Sequence, residues 1–570
     1  MLLSNFDILA AAPDGVARLR ELILTLAVQG KLLPQDPRDE PASALLKRIR
    51  AEKDRLIAEG KIKRDKPLAA IAEAEKPFEL PVGWEWVQLS ELMPEFQNGA
   101  SSRGDAGGTP VTVLRLADIK NRRVSLADTR QIPIAARDIQ KYLLAAGDIL
   151  ITRVNGSADI VGQFNLCDQS IDAIYCDHFI RMRVSPKSLK PSYLALLSET
   201  ALVRQKIKSL FITTAGQKTV NQGHIGSLLL PLPPLAEQSR IVARVEELMR
   251  LCDALQDKAR LEATQHDRLL RTLLGTLTAS TTADELAENW QRVATHLDLL
   301  LDRPEAVDAL EQTILQLAVR GLLIPQNPHD EPAAELLKKI RAEKDRLIAQ
   351  GKIKRDKALP PIAEDEQPFE VPQGWEWVRV SHVVEMLNGY AFKSEWFKPT
   401  GVRLLRNLNI SHGYVDWSLP AAIEAKAAAE YQQFALDAGD VVLSLDRPII
   451  STGLKYAVIR KSDLPCLLLQ RVARLAPDTK LASSEFLILW LQSDLFVGTI
   501  DPGRSNGVPH ISTKQVGGMV FPLPPLAEQS RIVARVAHLR ALCADLRQRL
   551  SDHRSTQSRL AEALVESVSN

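Results

Sequence analysis

The stretch PLPPLAEQSRIVARV at residues 231–245 returns unchanged at residues 522–536, which lie 291 positions later. A longer block repeats with the same offset, since residues 24–87 match residues 315–378 at most positions. Self-similarity at one fixed period is typical of duplicated architectures. The sequence therefore predicts one structural frame that is used twice.

Two stretches between the matched blocks, residues 88–230 and 379–521, share their length but little sequence. Each contains a Gly-Asp pair followed by an apolar run, at 147–150 and 439–442, and each mixes β-branched runs with Gly and Asp turns. These features predict two α+β domains of one fold. Because the frame is kept alike while the inserts differ, we expect the two domains to recognise different things.

The predicted organisation has five segments, because 570 residues are too many for a single core. A helical region with a charged extension is expected at 1–87 and a first domain at 88–230. A central helical region with a copy of the extension follows at 231–378. A second domain at 379–521 and a C-terminal helical region at 522–570 complete the chain.

Long helices are predicted after the proline pairs of the two 15-residue blocks. Their apolar residues alternate at spacings of three and four, which is the pattern of a narrow stripe that pairs with another helix. The stripe residues are Ile241, Val245, Leu248, Cys252 and Leu255, with Ile532, Val536, Leu539, Cys543 and Leu546 in the second copy. The segments at 19–27 and 310–318 offer partner stripes.

We expect helix 235–275 to pair with helix 305–320, and helix 526–566 to pair with residues 14–29. The predicted fold class is α+β: two α/β domains separated by two long antiparallel helical regions of coiled-coil type, arranged as a pseudo-two-fold tandem repeat. The charged segments 42–60 and 333–351 are also expected to be helical. They are either solvated helices with i,i+4 ion pairs or docking sites for a partner subunit or a DNA backbone.

The sequence contains no pattern that predicts catalysis. Phosphate-binding GxxxxGK[ST] loops, GxGxxG, HExxH and GxSxG are absent, so we expect a chain that is not an enzyme. Cys167 and Cys176 lack a second pair of ligands, which argues against a zinc site. The sequence contains no apolar run of about 18 residues, so no membrane span is predicted. Isolated cysteines and the lack of a secretion signal favour the cytoplasm.

The 231–245 block, present twice at the start of a long helix, resembles the conserved helical regions of Type I restriction–modification specificity subunits. The GWEWV stretches at 83–87 and 374–378 resemble the beginning of their target-recognition domains. The resemblance covers nearly the whole chain, although the extension 31–79 and its copy belong to only part of that family.

The resemblance implies that each variable domain reads one half of an asymmetric, bipartite site in double-stranded DNA. It also implies that the helices set the spacer and dock two methyltransferase subunits and the restriction/translocase subunits. S-adenosylmethionine, ATP and Mg are then expected on those partner subunits, and no cofactor is expected in this chain.

Three polar loops in each insert are the candidate DNA contacts, since base edges are read by polar side chains and phosphates by Arg and Lys. The first insert has 17 Lys and Arg against 12 Asp and Glu, and the second has 15 against 13. The candidates are Asn98, Arg103, Arg153, Asn155, Ser157, Thr214, Gln217 and Lys218 in the first insert, and Asn388, Tyr390, Lys393, Arg447, Arg504, Asn506 and His510 in the second.

Other interpretations remain open from the residues alone. Each loop can be an ordinary polar turn. The Trp pairs 84/86 and 375/377 are better explained by packing than by base stacking. The whole chain can be a scaffold for protein interactions that does not bind DNA, or the specificity part of a system whose nuclease and methyltransferase are fused.

Overall fold

The computed structural model describes residues 9, 12–62, 71–101, 108–120, 122–214, 216–352, 360–477, 482–500 and 510–569. The chain divides into two compact units. The first comprises Met1–Leu261 with Arg554–Asn570, and the second comprises Glu262–His553. Each unit is an α+β body that contains one insert and one copy of the frame, which confirms the predicted duplicated α+β fold.

The first insert and its flanking frame use seven helices of the described chain, the last of which continues into the second unit. The helices are α1 Gly15–Val28, α2 Ala42–Ala58, α3 Ala136–Tyr142, α4 Pro191–Leu197, α5 Ala201–Ser209, α6 Gln222–Gly226 and α7 Leu235–Ala279. The strands are β1 Glu85–Gln88, β2 Glu95–Asn98, β3 Thr109–Leu114, β4 Ile119–Lys120, β5 Arg123–Val124, β6 Arg130–Ile134, β7 Ile149–Thr152, β8 Val154–Asn155, β9 Phe164–Leu166, β10 Ile174–Tyr175, β11 Phe179–Arg183, β12 Ile212–Thr214, β13 Gln217–Thr219 and β14 Leu229–Leu232.

The second insert and its frame repeat this plan. The helices are α8 Ala283–Ala294, α9 Leu297–Leu300, α10 Pro304–Val319, α11 Ala333–Ala349, α12 Val380–Val383, α13 Ala425–Ala428, α14 Ser484–Gln492, α15 Asp494–Val497, α16 Thr513–Gly518 and α17 Leu526–Ser569. The strands are β15 Glu376–Arg379, β16 Val384–Asn388, β17 Val402–Leu405, β18 His412–Gly413, β19 Ala422–Ile423, β20 Val441–Ser444, β21 Ile449–Ile450, β22 Gly453–Leu454, β23 Tyr456–Val458, β24 Cys466–Leu468, β25 Val472–Pro477 and β26 Val520–Leu523.

A central sheet organises each domain, and it is antiparallel throughout except that β18 runs parallel to β23 in the second domain. Its order is β2-β11-β7-β9 in the first domain and β16-β25-β20-β23-β18 in the second. A smaller sheet lies beside it, β10-β3-β6 in the first domain and β19-β17-β24 in the second. The three-stranded ribbon β12-β13-β8 occurs in the first domain, whereas the second has the hairpin β21-β22. The alternation of β-branched residues with turns thus produces two domains with one shared core plan.

The strand that leads into each insert pairs with the strand that leaves it. β1 is antiparallel to β14, and β15 is antiparallel to β26. Because the chain arrives and departs side by side, the helices that flank an insert are brought together. Gln35 donates to Glu237 at 3.4 Å in the first unit, and Gln326 donates to Glu528 at 3.0 Å in the second.

The helices that flank each insert run antiparallel. In the first unit, Arg20 of α1 pairs with Asp253, farther along α7 than Glu237. In the second unit, Glu311 of α10 pairs with Arg540 of α17 at 3.0 Å. The polarity of the ion pair is therefore reversed between the repeats, with the cation on the short helix in one and on the long helix in the other.

The segments 19–27 and 310–318 are partner stripes as predicted, but the predicted assignment of each segment to a long helix was wrong for the stripe residues. Ile241, Val245, Leu248 and Cys252 share a core with Leu19 and Ile23 of α1, and Leu255 is half-buried. Ile532, Val536 and Cys543 share a core with Ile314 of α10, with Leu539 and Leu546 packed against it. Each stripe faces the helix that precedes its own insert, because strand pairing fixes both helices to the same domain.

Only the far ends of the long helices make the pairings that we predicted. Leu270, Leu274 and Leu277 of α7 pack with Ala306 of α10 in the second unit. In the first unit, Glu562 near the end of α17 pairs with Arg18 of α1 at 2.8 Å. Within the described part of the chain, no helix is both long and apolar enough to cross a membrane.

The charged extension is docked on its own domain in both units. One face of α2 is buried through Ala42, Leu45, Leu46 and Ile49, and the same face of α11 is buried through Ala333, Leu336, Leu337 and Ile340. The outer face carries local ion pairs, such as Arg55 with Glu52 at 2.6 Å. The extension is therefore an amphipathic helix with one packed face and one solvated face.

Candidate nucleic-acid interface

Polar residues of the first insert meet at one end of the central sheet. β2 ends at Asn98 and β7 ends at Thr152, and their neighbours on β11 are Ile180 and Phe179. The residues just beyond these strands therefore lie side by side. We call this end of the sheet, with the loops that follow it, the polar end.

Two of the predicted loops are joined at the polar end. Val154–Asn155 pairs with Gln217–Thr219, so that Lys218 lies opposite Asn155. Lys218 donates from Nζ to the carbonyl of Gly156 at 3.0 Å. Thr214 lies opposite Gln217 on the outer strand of the ribbon. The loop after the Gly-Asp strand and the loop before the frame helix thus form one surface.

Arg153 is held at the base of this ribbon. Its N–H donates to the carbonyl of His178 at 2.8 Å, and its carbonyl accepts from Val220 at 2.9 Å. The guanidinium is half-buried and reaches the carbonyl of Asp177 at 3.4 Å. Because this hydrogen bond goes to a neutral carbonyl oxygen, it does not neutralise the guanidinium. The positive charge of Arg153 can therefore attract a phosphate or a guanine.

The third predicted loop also reaches the polar end. Asn98 is exposed and accepts a hydrogen bond at 3.0 Å from Nε2 of Gln222, the first residue of α6. Ser157 is exposed beside Asn155, whose side chain accepts from the Ser157 N–H at 2.9 Å. Arg103 lies outside the described residues. The described candidates of the first insert are therefore brought together.

The second domain has a polar end with the same backbone plan. Asn388 lies opposite Ala473, and Ser444 lies opposite Val472. The N–H of Leu445 donates to the carbonyl of Arg471 at 2.9 Å, as Arg153 does to His178. Leu445 thus occupies the position of Arg153, and the predicted counterpart Arg447 lies two residues farther on.

Basic side chains gather around one carboxylate in the second domain. His510 lies 2.5 Å from Asp446, and Arg471 lies 3.7 Å from it. Arg447 is exposed next to Asp446 in a left-handed conformation, with φ at 47°. Lys455 is nearby, and burial lowers the pKa of its amine. Arg504 and Asn506 are outside the described residues.

Two candidates of the second insert have different surroundings. Tyr390 is half-buried in an aromatic cluster, with its ring centre 4.7 Å from that of Tyr431 and 5.0 Å from that of Phe392. Its ring is therefore engaged in packing. Lys393 is exposed, and its amine lies 5.8 Å from the centre of the Trp396 ring.

Sequence reasoning missed three residues that the polar ends contain. Gln222 bonds to Asn98, and Thr513 accepts from Asn388 at 3.0 Å. Arg471 joins the Asp446 cluster. A signal for the first two was available, since residues 222 and 513 are separated by the repeat offset of 291 and follow the helix-capping residues Asn221 and Ser512.

Cys176, Asp177 and His178 form the cluster of possible metal ligands found among the described residues, with ligand atoms within 4.8 Å of one another. Burial raises the pKa of the Cys176 thiol, which disfavours the thiolate that binds metals. The three residues are consecutive at the polar end, where the carbonyls of Asp177 and His178 accept from Arg153. Their contribution is therefore to hold that arginine.

Comparisons with known proteins agree with this architecture. The profile of the Type I restriction modification DNA specificity domain matches twice, at residues 81–265 and 372–552. The Type I restriction enzyme EcoAI specificity subunit of Escherichia coli is 45% identical, over 98% of this chain and 94% of that protein. The Type I restriction enzyme EcoEI specificity subunit of Escherichia coli is 33% identical, over 98% and 94%.

Among solved structures, the HsdS subunit from Thermoanaerobacter tengcongensis is similar with a TM-score of 0.44 and 19% identity, covering 86% of this chain and 98% of that one. The two profile matches each cover one insert and the first part of the long helix that follows it, whereas the two relatives match over nearly the whole chain. The chain therefore belongs to the family of Type I restriction–modification specificity subunits.

Proposed function

We propose that this chain is the DNA-recognition subunit of a Type I restriction–modification complex. Each α+β domain binds one half of an asymmetric, bipartite site in double-stranded DNA. The observation that carries the proposal is that both domains build a polar end on the same sheet register, with different side chains on it. One scaffold with two chemistries is what a reader of two unlike half-sites requires.

The first domain is equipped for the contacts that DNA offers. Lys218 and Arg153 supply positive charge, and the amides of Asn98 and Gln222 supply donors and acceptors. Positively charged groups bind phosphates, and amide donors and acceptors read base edges. Because the groups stand on paired strands, beside them or at the start of α6, their spacing is fixed before DNA arrives, which reduces the entropy lost on binding.

The second domain is equipped differently. Its charge comes from Arg447 and Arg471, which lie near Asp446 together with His510. Asp446 holds His510 and neutralises part of this charge, so the remaining charge is carried by two exposed arginines. We therefore expect the second domain to depend more on Arg and less on amide groups than the first.

The repeated frame supports two equivalent docking sites for one kind of partner. Trp84 donates to Glu237 at 3.0 Å, and Trp375 donates to Glu528 at the same distance. These buried contacts give the frame the same geometry in both repeats, and a frame that occurs twice suits two copies of a methyltransferase subunit, with restriction subunits added to that assembly. In this proposal the helices α7 and α17 set the spacer between the half-sites.

Chemistry belongs to the partners in this proposal. S-adenosylmethionine would bind the methyltransferase subunits, and ATP with Mg would bind the restriction subunits. This chain contributes recognition and positioning without a catalytic residue of its own. Such an assembly would act in the cytoplasm.

The test is selection of bound duplexes from a random DNA library by the full-length chain at low salt, followed by sequencing. We expect one motif with two blocks separated by a fixed gap. If no sequence is enriched and binding does not weaken with salt, the proposal is wrong and a protein-interaction scaffold becomes the better interpretation.

Arg153→Ala and Lys218→Ala locate the interface. A base contact by Arg153 predicts a loss of about 1–3 kcal/mol in discrimination at one position of one block. A phosphate contact predicts weaker binding to all sequences and a salt slope smaller by about one. Arg137→Ala is the matched control, because Arg137 is an exposed cation on α3 that does not belong to the polar end. If all three variants bind like the wild type, the polar end is not the interface.

A further inference from the structure

Two hydrogen-bonded side-chain pairs occupy equivalent positions at the two polar ends. In the first domain, Gln222 donates from Nε2 to Oδ1 of Asn98 at 3.0 Å. In the second, Asn388 donates from Nδ2 to Oγ1 of Thr513 at 3.0 Å. In each pair the asparagine ends a strand of the central sheet, and the other residue begins a short helix. One position of the fold thus carries two different polar pairs.

The backbone holds each asparagine in a defined place. The residue after Asn98 is Gly99, whose N–H donates to the carbonyl of Phe179 at 3.1 Å. A Cβ on Gly99 would lie 2.0 Å from the carbonyl oxygen of Cys176, so only glycine allows this approach. Gly389 is confined in the same way, since its Cβ would lie 2.2 Å from the carbonyl oxygen of Leu469.

The short helices are held equally well. Asn221 precedes Gln222 and accepts a hydrogen bond from the N–H of His224 at 2.8 Å. Ser512 precedes Thr513 and accepts from the N–H of Gln515 at 3.2 Å. The partner of each asparagine is therefore presented from a capped turn. Both members of each pair are preorganised, which sharpens discrimination between ligands.

The free groups of the first pair form a complementary set. The bond between the two side chains uses Oδ1 of Asn98 and one hydrogen of Gln222 Nε2. Among the described residues, neither Nδ2 of Asn98 nor Oε1 of Gln222 has a hydrogen-bond partner. A donor and an acceptor are thus left side by side at an exposed site.

Adenine is the base whose major-groove edge matches this set. It presents the N7 acceptor beside the N6 donor, which single Asn or Gln side chains read with two hydrogen bonds. Guanine offers two acceptors, N7 and O6, and would leave Oε1 of Gln222 facing an acceptor. We propose that Asn98 and Gln222 together read one adenine of the half-site bound by the first domain, an inference that rests on the proposed function.

The second domain carries a different reader at the same place. Asn388 donates one Nδ2 hydrogen to Oγ1 of Thr513, and its Oδ1 remains available as an acceptor. The hydroxyl of Thr513 is shorter than the amide of Gln222 and can rotate its hydrogen. The amino group of adenine or cytosine then suits Oδ1 of Asn388. Exchange of one residue on a constant frame would thus change the base that is read.

The experiment is selection from a random duplex library with the full-length chain and its Gln222→Ala variant. The wild type is expected to require adenine at one position of one block. Gln222→Ala is expected to lose that preference, with binding to the adenine site about five- to 150-fold weaker and the other positions unchanged. Thr513→Ala is the matched control, because it should alter only the other block.

Gln222→Glu is a second variant that keeps a side chain of the same size. It should change the base that is preferred at this position, which a loss of folding would not do. The new carboxylate would accept from Nδ2 of Asn98, so that both outward groups become acceptors. Glutamate accepts from N4 of cytosine, and the preference at this position should move from adenine to cytosine. Far-UV circular dichroism of each variant checks that the domains remain folded.

Each outcome is decisive. If the wild type selects a motif while Gln222→Ala and Gln222→Glu select the same one, the paired reader is wrong and the proposed function stands. If Gln222→Ala binds all sequences equally more weakly, the pair is a structural clip or a phosphate contact, and the reader is again wrong. If the wild type selects no sequence, the proposed function itself fails.

Discussion

Replacing Glu528 by alanine tests what anchors the long helix to its domain. Glu528 lies in the first turn of α17 and is only 1% exposed. Its carboxylate accepts from Nε1 of Trp375 at 3.0 Å and from Nε2 of Gln326 at 3.0 Å. Alanine removes both acceptors at once. Gln326 keeps a second acceptor, the carbonyl of Gly321 at 2.6 Å, whereas no other acceptor for the Trp375 N–H is found in the described chain.

The magnitude follows from that difference. One buried donor left without a partner costs about 1–3 kcal/mol of unfolding free energy. Burial raises the pKa of Glu528, which shows that desolvation already offsets part of what the carboxylate contributes. We therefore expect Glu528→Ala to lie within that range. Glu528→Gln keeps an acceptor for Trp375 and should cost about 1 kcal/mol or less, close to the value of one neutral hydrogen bond.

The assay is a double-mutant cycle with Trp375→Phe, which removes the N–H while keeping an aromatic ring. Urea unfolding followed by circular dichroism gives the free energies of the wild type, both single variants and the double variant. If the bond matters, the second substitution costs less after the first, and the coupling is about 0.5–3 kcal/mol. Additivity to within about 0.5 kcal/mol would refute the role of this bond. The pair Trp84 and Glu237 offers the same cycle in the first unit.

Three further predictions concern pH, glycine and cysteine. Burial raises the pKa of Glu237 and Glu528 above 4.5, so unfolding releases protons and the free energy of unfolding falls as pH rises through the raised pKa values. Thermal unfolding measured from acid to neutral pH should show this loss of stability. The variant with Gln at both positions should lack it. Gly30→Ala should destabilise by more than the roughly 1–2 kcal/mol of left-handed strain, because its Cβ would lie 2.5 Å from Pro81. Gly60→Ala, with nothing within 4 Å, should cost only the strain in urea unfolding, and equal losses for both would contradict the clash. Alkylation of the native chain should be slow, because all the cysteines are buried: Cys167, Cys176, Cys252, Cys466 and Cys543. Rapid labelling before unfolding would contradict this packing. For Cys167 and Cys466 burial raises the pKa to about 12, so their thiolates are scarce at neutral pH.

Much of the candidate site could be located from sequence, although not its geometry. The Gly-Asp strands pointed to Arg153 and Asn155, and the loop before the frame helix pointed to Lys218. Whether these loops meet depends on which strands pair, and the residues of one loop do not encode that. The same limit hid Gln222, because its role depends on the end of β2, 124 positions away in the chain.

Residue order alone reveals the duplication, the division into constant frame and variable inserts, and the long helices with their apolar stripes. These features are local or depend on identity at one offset, so they can be read along the chain. The partner of each stripe was not determined, because residues 19–27 and 310–318 share one apolar pattern. The ion pairs that distinguish them, Arg20 with Asp253 and Glu311 with Arg540, join residues more than two hundred positions apart.

The pairing of the helices follows from the pairing of β1 with β14 and of β15 with β26, which ties each long helix to the domain it leaves. Tertiary structure also placed Leu445 where the first domain has Arg153, and it gathered the cations of the second domain around Asp446. Sheet register brings together frame strands more than a hundred positions apart and domain residues that are tens of positions apart. Hydrogen bonding between distant strands, rather than local propensity, therefore fixes which side chains face DNA in the proposed complex.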